Sequence, residues 1–234
     1  MLSIFRREMA AFFHTAVGYV FMGVFLALST VMFCLSILQQ RSSDLLTFLG
    51  QLSYLWMLLS PVLTMRLLAE ERRMGTDTLL LSSPVSLTGI VLGKYLAAVC
   101  VMLLTVALTL VYVAVIAAYG AVYAGEAAVG YAGFILQGCA FIALDLFLSG
   151  LCKSPVTAAV LSFGANLAVW MMDLLASAAP QWLERALSFL SLYSRNEPFL
   201  MGQLSYASVL YDLSFAAAFL ALTVFVMDRR RYGR

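Results

Sequence analysis

The chain has 234 residues, 63% of them apolar and 11% charged, whereas soluble domains run near half apolar and about a quarter charged. No water-soluble fold of this size hides that much apolar surface. The apolar residues also come in unbroken runs instead of alternating with polar ones, which excludes a membrane β-barrel and leaves spanning helices. The net charge of +2 names no partner, and a single histidine, His14, leaves neither a metal-ligand set nor a nucleophile with a histidine base to assemble.

Residues 1–15 come first and set Leu2, Ile4, Phe5, Met9 and Phe12 against Arg6, Arg7 and Glu8, the pattern of a helix lying along a membrane surface. A spanning helix needs about 20 apolar residues. The sequence predicts an all-α polytopic membrane protein, one domain over residues 1–234, with six transmembrane helices at 16–38, 45–65, 90–119, 129–151, 155–176 and 208–227. The first run has no small-residue cleavage site and is expected to be retained as a span. Between the spans lie a short loop with Arg41 and Asp44, a charged loop over 66–89, a turn from Gly120 to Gly130, and a tight connection at Lys153 to Pro155. An outer loop over 177–207 follows, in which Trp182, Leu183, Ala186, Leu187 and Leu190 recur at helical spacing after Pro180. They predict an interfacial helix that either caps the bundle or forms an outer lip. Cys34, Cys100, Cys139 and Cys152 lie in or beside apolar runs without a CxxC pair and read as small packing residues.

The basic residues sort by side. Eleven of them (Arg6, Arg7, Arg66, Arg72, Arg73, Lys94, Lys153, Arg229, Arg230, Arg231 and Arg234) fall on one face of a six-span arrangement, and three (Arg41, Arg185 and Arg195) on the other. By the positive-inside rule the N- and C-termini are cytoplasmic, and so is the charged loop.

That loop carries Glu70, Glu71, Arg72, Arg73 and Asp77 within eight residues. A helix leaving the membrane would take these charges into water and stop at Gly75, which tolerates the backbone of a helix end. Thr76 or Asp77 would then cap a second short helix from Leu79 to Ser82, ended by Pro84. A helix with one apolar side between two spans suits docking into a partner's groove.

Glu70, Glu71, Arg72, Gly75, Thr76, Leu79, Leu80, Pro84 and Val85 together resemble the linker between the second and third spans in permease subunits of ABC-2 type transporters, in particular the gliding-motility-like and multidrug permeases. Gly93, Lys94 and Tyr95 extend the resemblance, as do Phe5 to Glu8, Gly18 to Phe21, Phe199 to Gly202, Val209 to Asp212 and Arg229 to Arg231, so that it covers nearly the whole chain. The sequence departs from the family pattern in lacking a proline near Thr15 to Val17, an acid at Thr78 and a His-Phe pair near Arg195 to Pro198.

The resemblance implies a non-catalytic permease of an exporter in a bacterial inner membrane. Two permease copies, identical or not, would form the path in the lipid bilayer. ATP and Mg would sit on a separate ATP-binding cassette ATPase, with no cofactor on this chain and no nucleic-acid partner. It further implies that the ATPase docks on the charged loop, with Glu70, Glu71, Arg72 and Arg73 as polar anchors, Gly75 and Thr76 at the turn, and Leu79, Leu80 and Leu81, closed by Pro84, as the docking face. The plain alternative is that these charges only solvate a loop.

Other signals are weaker. Gly89 to Lys94 has three residues between its glycines and no Ser or Thr after the lysine, so it is not a phosphate-binding loop. Asp145 is expected about 9 Å inside its span, where a charge needs a partner or water. It is a candidate to line an aqueous path, to pair with a base, or to pack with a hydrogen bond. A rival class, an ion- or proton-coupled carrier, would use it as the titrating group; a membrane scaffold is a third. Asp173 and Asp212 are expected at the outer interface, and Asn166 is expected to join helices through its amide.

Overall fold

The computed structural model describes residues 1–39, 44–76, 86–119, 123–178 and 191–232. Among these the chain is helical, without a strand: α1 (Leu2–His14), α2 (Val17–Phe33) running on into a π-helical turn (Cys34–Leu38), α3 (Leu45–Arg73), α4 (Leu87–Tyr119), α5 (Ala124–Leu151), α6 (Pro155–Ala178), α7 (Leu192–Leu200) and α8 (Tyr206–Tyr232). Six stretches are long and apolar enough to cross a bilayer: Val17–Leu38, Leu45–Arg73, Leu87–Ala118, Ala124–Leu151, Pro155–Met172 and Tyr206–Arg230. They coincide with the six predicted spans.

Two boundaries differ for legible reasons. The second span continues as helix eight residues past its predicted end, to Arg73. Arg66 and Glu70 pair across one turn at 2.9 Å, and the helix then closes with Gly75 at φ 69°. The Gly75 amide donates to Arg72 O at 3.3 Å and the Thr76 amide to Glu71 O at 3.0 Å, the paired bonds of a glycine-terminated helix. The fourth span starts at Ala124, with Glu126 in its first turn, where the helix dipole favours an acid.

Burial separates the spans into centre and periphery. In their most apolar stretches α3 is 67% buried and α5 72%, against 22% for α6 and 17% for α8. The α5 helix is central because its glycines admit neighbours: a Cβ at Gly138 would lie 2.5 Å from Met102 Sδ and 3.3 Å from Trp56 Nε1, and one at Gly133 would lie 2.5 Å from Phe199 Cβ. Small residues that let backbones approach replace the hydrophobic effect as the organiser of helix packing in lipid. Around them Trp56, 1% exposed, meets Phe21, Phe25 and Phe134 edge-on at centroid distances of 5.7, 5.6 and 6.2 Å.

The α7 helix was not predicted. It lies within the outer loop, and its sequence, Leu192 through Arg195, Asn196, Glu197 and Pro198 to Leu200, reads as polar connection. Ser191 caps it, accepting from the Ser194 amide at 3.2 Å; Phe199, 1% exposed, fills the space above Gly133. The interfacial helix predicted over Trp182 to Leu190 falls outside the described residues.

Candidate functional site

The charged end of the bundle is built from three helices. On α1, Phe12 and Ile4 are buried and bring Arg7 and Glu8 to the inner side of that helix. On α4, Gly93 allows the approach: a Cβ there would lie 3.1 Å from Ile4 Cγ2 and 3.3 Å from Met1 O. The next residue, Lys94, is 1% exposed. Its ammonium donates to Leu67 O on α3 at 2.6 Å and lies 3.0 Å from both Glu8 Oε1 and Glu71 Oε1. It donates hydrogen bonds to Glu8 and to the Leu67 carbonyl, and Glu71 adds an ion pair.

Arg7 closes the cluster, with Nη2 at 2.8 Å from Glu8 Oε1 and 2.6 Å from Glu71 Oε1. Two acids and two bases make it neutral, the condition under which charges tolerate partial burial. The hydrogen bond to Glu8 pushes the Arg7 guanidinium above its ordinary pKa against the opposing effect of burial, so Arg7 stays charged. A cavity of 250 Å³ lined by Glu8, Ala11, Phe12, Thr15, Arg66 and Glu70 opens beside it, between α1 and α3.

A second set of bonds ties α3 to α5. Ser149 on α5 donates to Met65 O at 3.1 Å and accepts from the amides of Leu68 and Ala69 at 3.4 and 3.3 Å. Arg72 Nη1 donates to Leu151 O at 2.8 Å and Cys152 O at 3.2 Å, satisfying carbonyls that the end of α5 leaves without partners. Deeper in the bundle, Asp145 is fully buried and its Oδ2 accepts from Ser60 Oγ at 2.7 Å.

The predicted site residues thus separate. Glu71 and Arg72 are engaged within the bundle, and Glu70 pairs with Arg66. Arg73, Met74, Gly75 and Thr76 are exposed. Leu79, Leu80, Leu81 and Pro84, with Asp77 and Val85, lie outside the described residues. Asp145 sits one turn before Ser149 on the same face of α5, six residues from the end of that helix, and also meets α3. Asp212, expected at the outer interface, lies six residues after the start of α8 and is 2% exposed, with neither carboxylate oxygen hydrogen-bonded among the described residues. The side chain of Asp173 is outside the described part. No group of three or more potential metal ligands occurs among the described residues.

Sequence reasoning assigned no role to Ser149, placed Arg7 and Glu8 only on the polar face of a surface helix and in the family resemblance, and used Lys94 only as a sidedness marker and a point of resemblance. The usable signal was Lys94 itself. A lysine followed by Tyr95 and a long apolar run must find acceptors or remain at the interface.

A family model described as ABC-2 family transporter protein matches residues 38–227. The chain belongs to this family. The matched region takes in four complete spans, most of α8, the charged end of α3 and α7. No curated protein matches the chain. An ABC-2 family member is a multi-pass membrane component of an ABC transporter system, and in this one α3, the helix gripped by Lys94, ends in the charged turn Glu70 to Arg73.

Proposed function

We propose that this ABC-2 permease is the non-catalytic membrane subunit of an exporter, driven by a separate ATP-binding cassette ATPase that docks on the segment after α3. The observation that carries the reading is the Lys94 cluster. It joins α1, α3 and α4 at the base of a helix that runs without interruption from the apolar zone to the exposed turn at Gly75. A push on that turn is delivered to α3 and passed through Glu71 to Lys94 and through Arg72 to the end of α5. Rigid elements with fixed polar contacts transmit such a displacement; solvated loops absorb it.

The reading also orients the chain. The eleven-to-three distribution of Lys and Arg puts the termini and the Gly75 turn in the cytoplasm, where ATP and Mg are bound by the partner. A second permease copy, identical or not, completes the path across a bacterial inner membrane. The exposed turn at Arg73 to Thr76 is assigned to docking, together with Leu79, Leu80, Leu81 and Pro84, while Glu71 and Arg72 transmit. The carrier reading, with Asp145 titrating from an aqueous path, is less well supported, because Asp145 is fully buried and bonded to Ser60.

The test is co-purification with the ATPase subunit followed by ATP-driven transport in vesicles. Met74→Asp with Thr76→Arg is expected to lose the ATPase; Lys94→Met is expected to retain it and lose transport. If Met74→Asp with Thr76→Arg leaves both association and transport intact, the docking assignment is wrong. Transport driven by a pH gradient without any ATPase, and abolished by Asp145→Asn, would establish the carrier instead.

A further inference from the structure

Pro61 lies in the interior of α3. A helical proline has no amide to give to the carbonyl four residues back, and its ring pushes that carbonyl aside. The residue deprived is Met57, buried in the bundle, where an unpaired carbonyl is costly because lipid offers no water to replace the bond. Asn166 of α6 supplies the missing donor: its Nδ2 lies 3.2 Å from Met57 O. The same nitrogen is 3.3 Å from Ser60 Oγ, which in turn donates to Asp145 Oδ2 at 2.7 Å. Asn166 and Asp145 are both fully buried. Thr64, one turn on, bonds back to Ser60 O at 3.0 Å, a habit that bends helices.

We infer that Asn166 is a positioning residue that replaces the absent Pro61 amide and so makes a joint of α3, α6 and α5 at the level of Pro61. The two halves of α3 then have different attachments. Below Pro61 the helix is held by Ser149, Lys94 and Arg72 contacts to α5 and α4. At Pro61 it is held by α6. Displacement of the charged end of α3 therefore pivots at this joint and reaches α6, which is otherwise among the least buried spans. The chemistry fixes which way the amide faces, since only the nitrogen end can serve Met57 O. The role in coupling rests on the permease reading above; the joint itself does not.

The experiment is a mutant cycle on the purified chain in detergent, read by thermal melting and by hydrogen exchange of the amides from Val62 to Met65. Asn166→Leu keeps the size and removes the donor. It is expected to lower the melting midpoint by about 3 °C and to speed exchange by about tenfold. Pro61→Ala restores an amide to Met57 O. In that background Asn166→Leu is expected to cost less than half as much on both readouts, a rescue that a residue merely filling space would not show. An equal cost in both backgrounds overturns the joint. With the ATPase subunit bound, Asn166→Leu is expected to reduce permease-stimulated ATP turnover by about fivefold and Pro61→Ala with Asn166→Leu to restore it. Rescue of melting and exchange without rescue of turnover keeps the joint and removes its role in coupling.

Discussion

At the residue scale the decisive side chain is Lys94. Removing one partner of a buried ion pair costs about 3 to 5 kcal/mol because the other charges stay behind. Glu8 and Glu71 keep 13% and 18% side-chain exposure and retain Arg7, so Lys94→Met belongs at the lower end, about 3 kcal/mol. Lys94→Met combined with Glu71→Gln should cost less than the sum of the two single changes, because neutralising both leaves no stranded charge. Denaturant or thermal melting of the three variants and the unsubstituted chain measures this; strict additivity would mean that the 3.0 Å contact contributes nothing. A second residue-scale prediction concerns Asp44, which caps α3 by accepting from Thr47 Oγ1 at 2.6 Å and the Thr47 amide at 3.1 Å. The Thr47 hydroxyl bond, first, and its amide hold the Asp44 carboxyl below the ordinary carboxylate value. A depressed acid stabilises the fold above its unfolded pKa, and that contribution fades as pH falls through the folded one. Asp44→Ala should therefore cost about 1 kcal/mol at pH 7, with the difference from the unsubstituted chain shrinking as the pH falls below the ordinary carboxylate range. A penalty that persists unchanged to the lowest pH at which the fold survives would contradict it. The charge of Lys94 was visible in the sequence; its partners were not, since Glu8 is 86 positions away and no local spacing encodes the meeting of α1 with α4.

At the element scale, helix existence was legible and helix position within the bundle was not. Lipid tails are as apolar as a protein core, so α3, 67% buried, is no more apolar in sequence than α6, 22% buried. The difference lies in small residues with long-range neighbours, which a periodicity argument cannot weigh. This gives a contrast to test. Gly138→Leu in α5 must displace Met102 and Trp56 and is expected to destabilise the chain by about 3 kcal/mol, in the range of overpacked cores. Gly23 in α2 has nothing within 4 Å of a built Cβ, so Gly23→Ala should be neutral or gain up to about 1 kcal/mol from reduced backbone freedom. Melting of the purified variants separates them, and equal effects would show that α5 is not the packing centre. The α7 helix escaped prediction for the opposite reason. Its Arg195, Asn196, Glu197 and Pro198 read as loop, while its order comes from the Ser191 cap, the turn at Gly202 with φ 71°, and Phe199 seated on Gly133.

At the scale of the whole molecule, the ion cluster and the Arg72 contacts bring the middle of α1, the ends of α3 and α5 and the start of α4 to a single end of the bundle. The basic residues counted along the sequence concentrate at that same end, the end that the positive-inside rule predicts to face the cytoplasm. The consequence is a labelling pattern. In a chain whose four cysteines, all half-buried, are replaced by serine or alanine, Thr76→Cys at the exposed turn after α3 should react with a membrane-impermeant maleimide only in inside-out vesicles. Tyr123→Cys, at a position 69% exposed just before α5, should react only in right-side-out cells. The two sites differ by one passage through α4, so any arrangement in which both react from the same side breaks the six-span topology. The reverse pattern preserves the topology and instead places the Gly75 turn away from cytoplasmic ATP, which would remove the ATPase docking site while leaving the Lys94 cluster and the Pro61 joint as features of the fold.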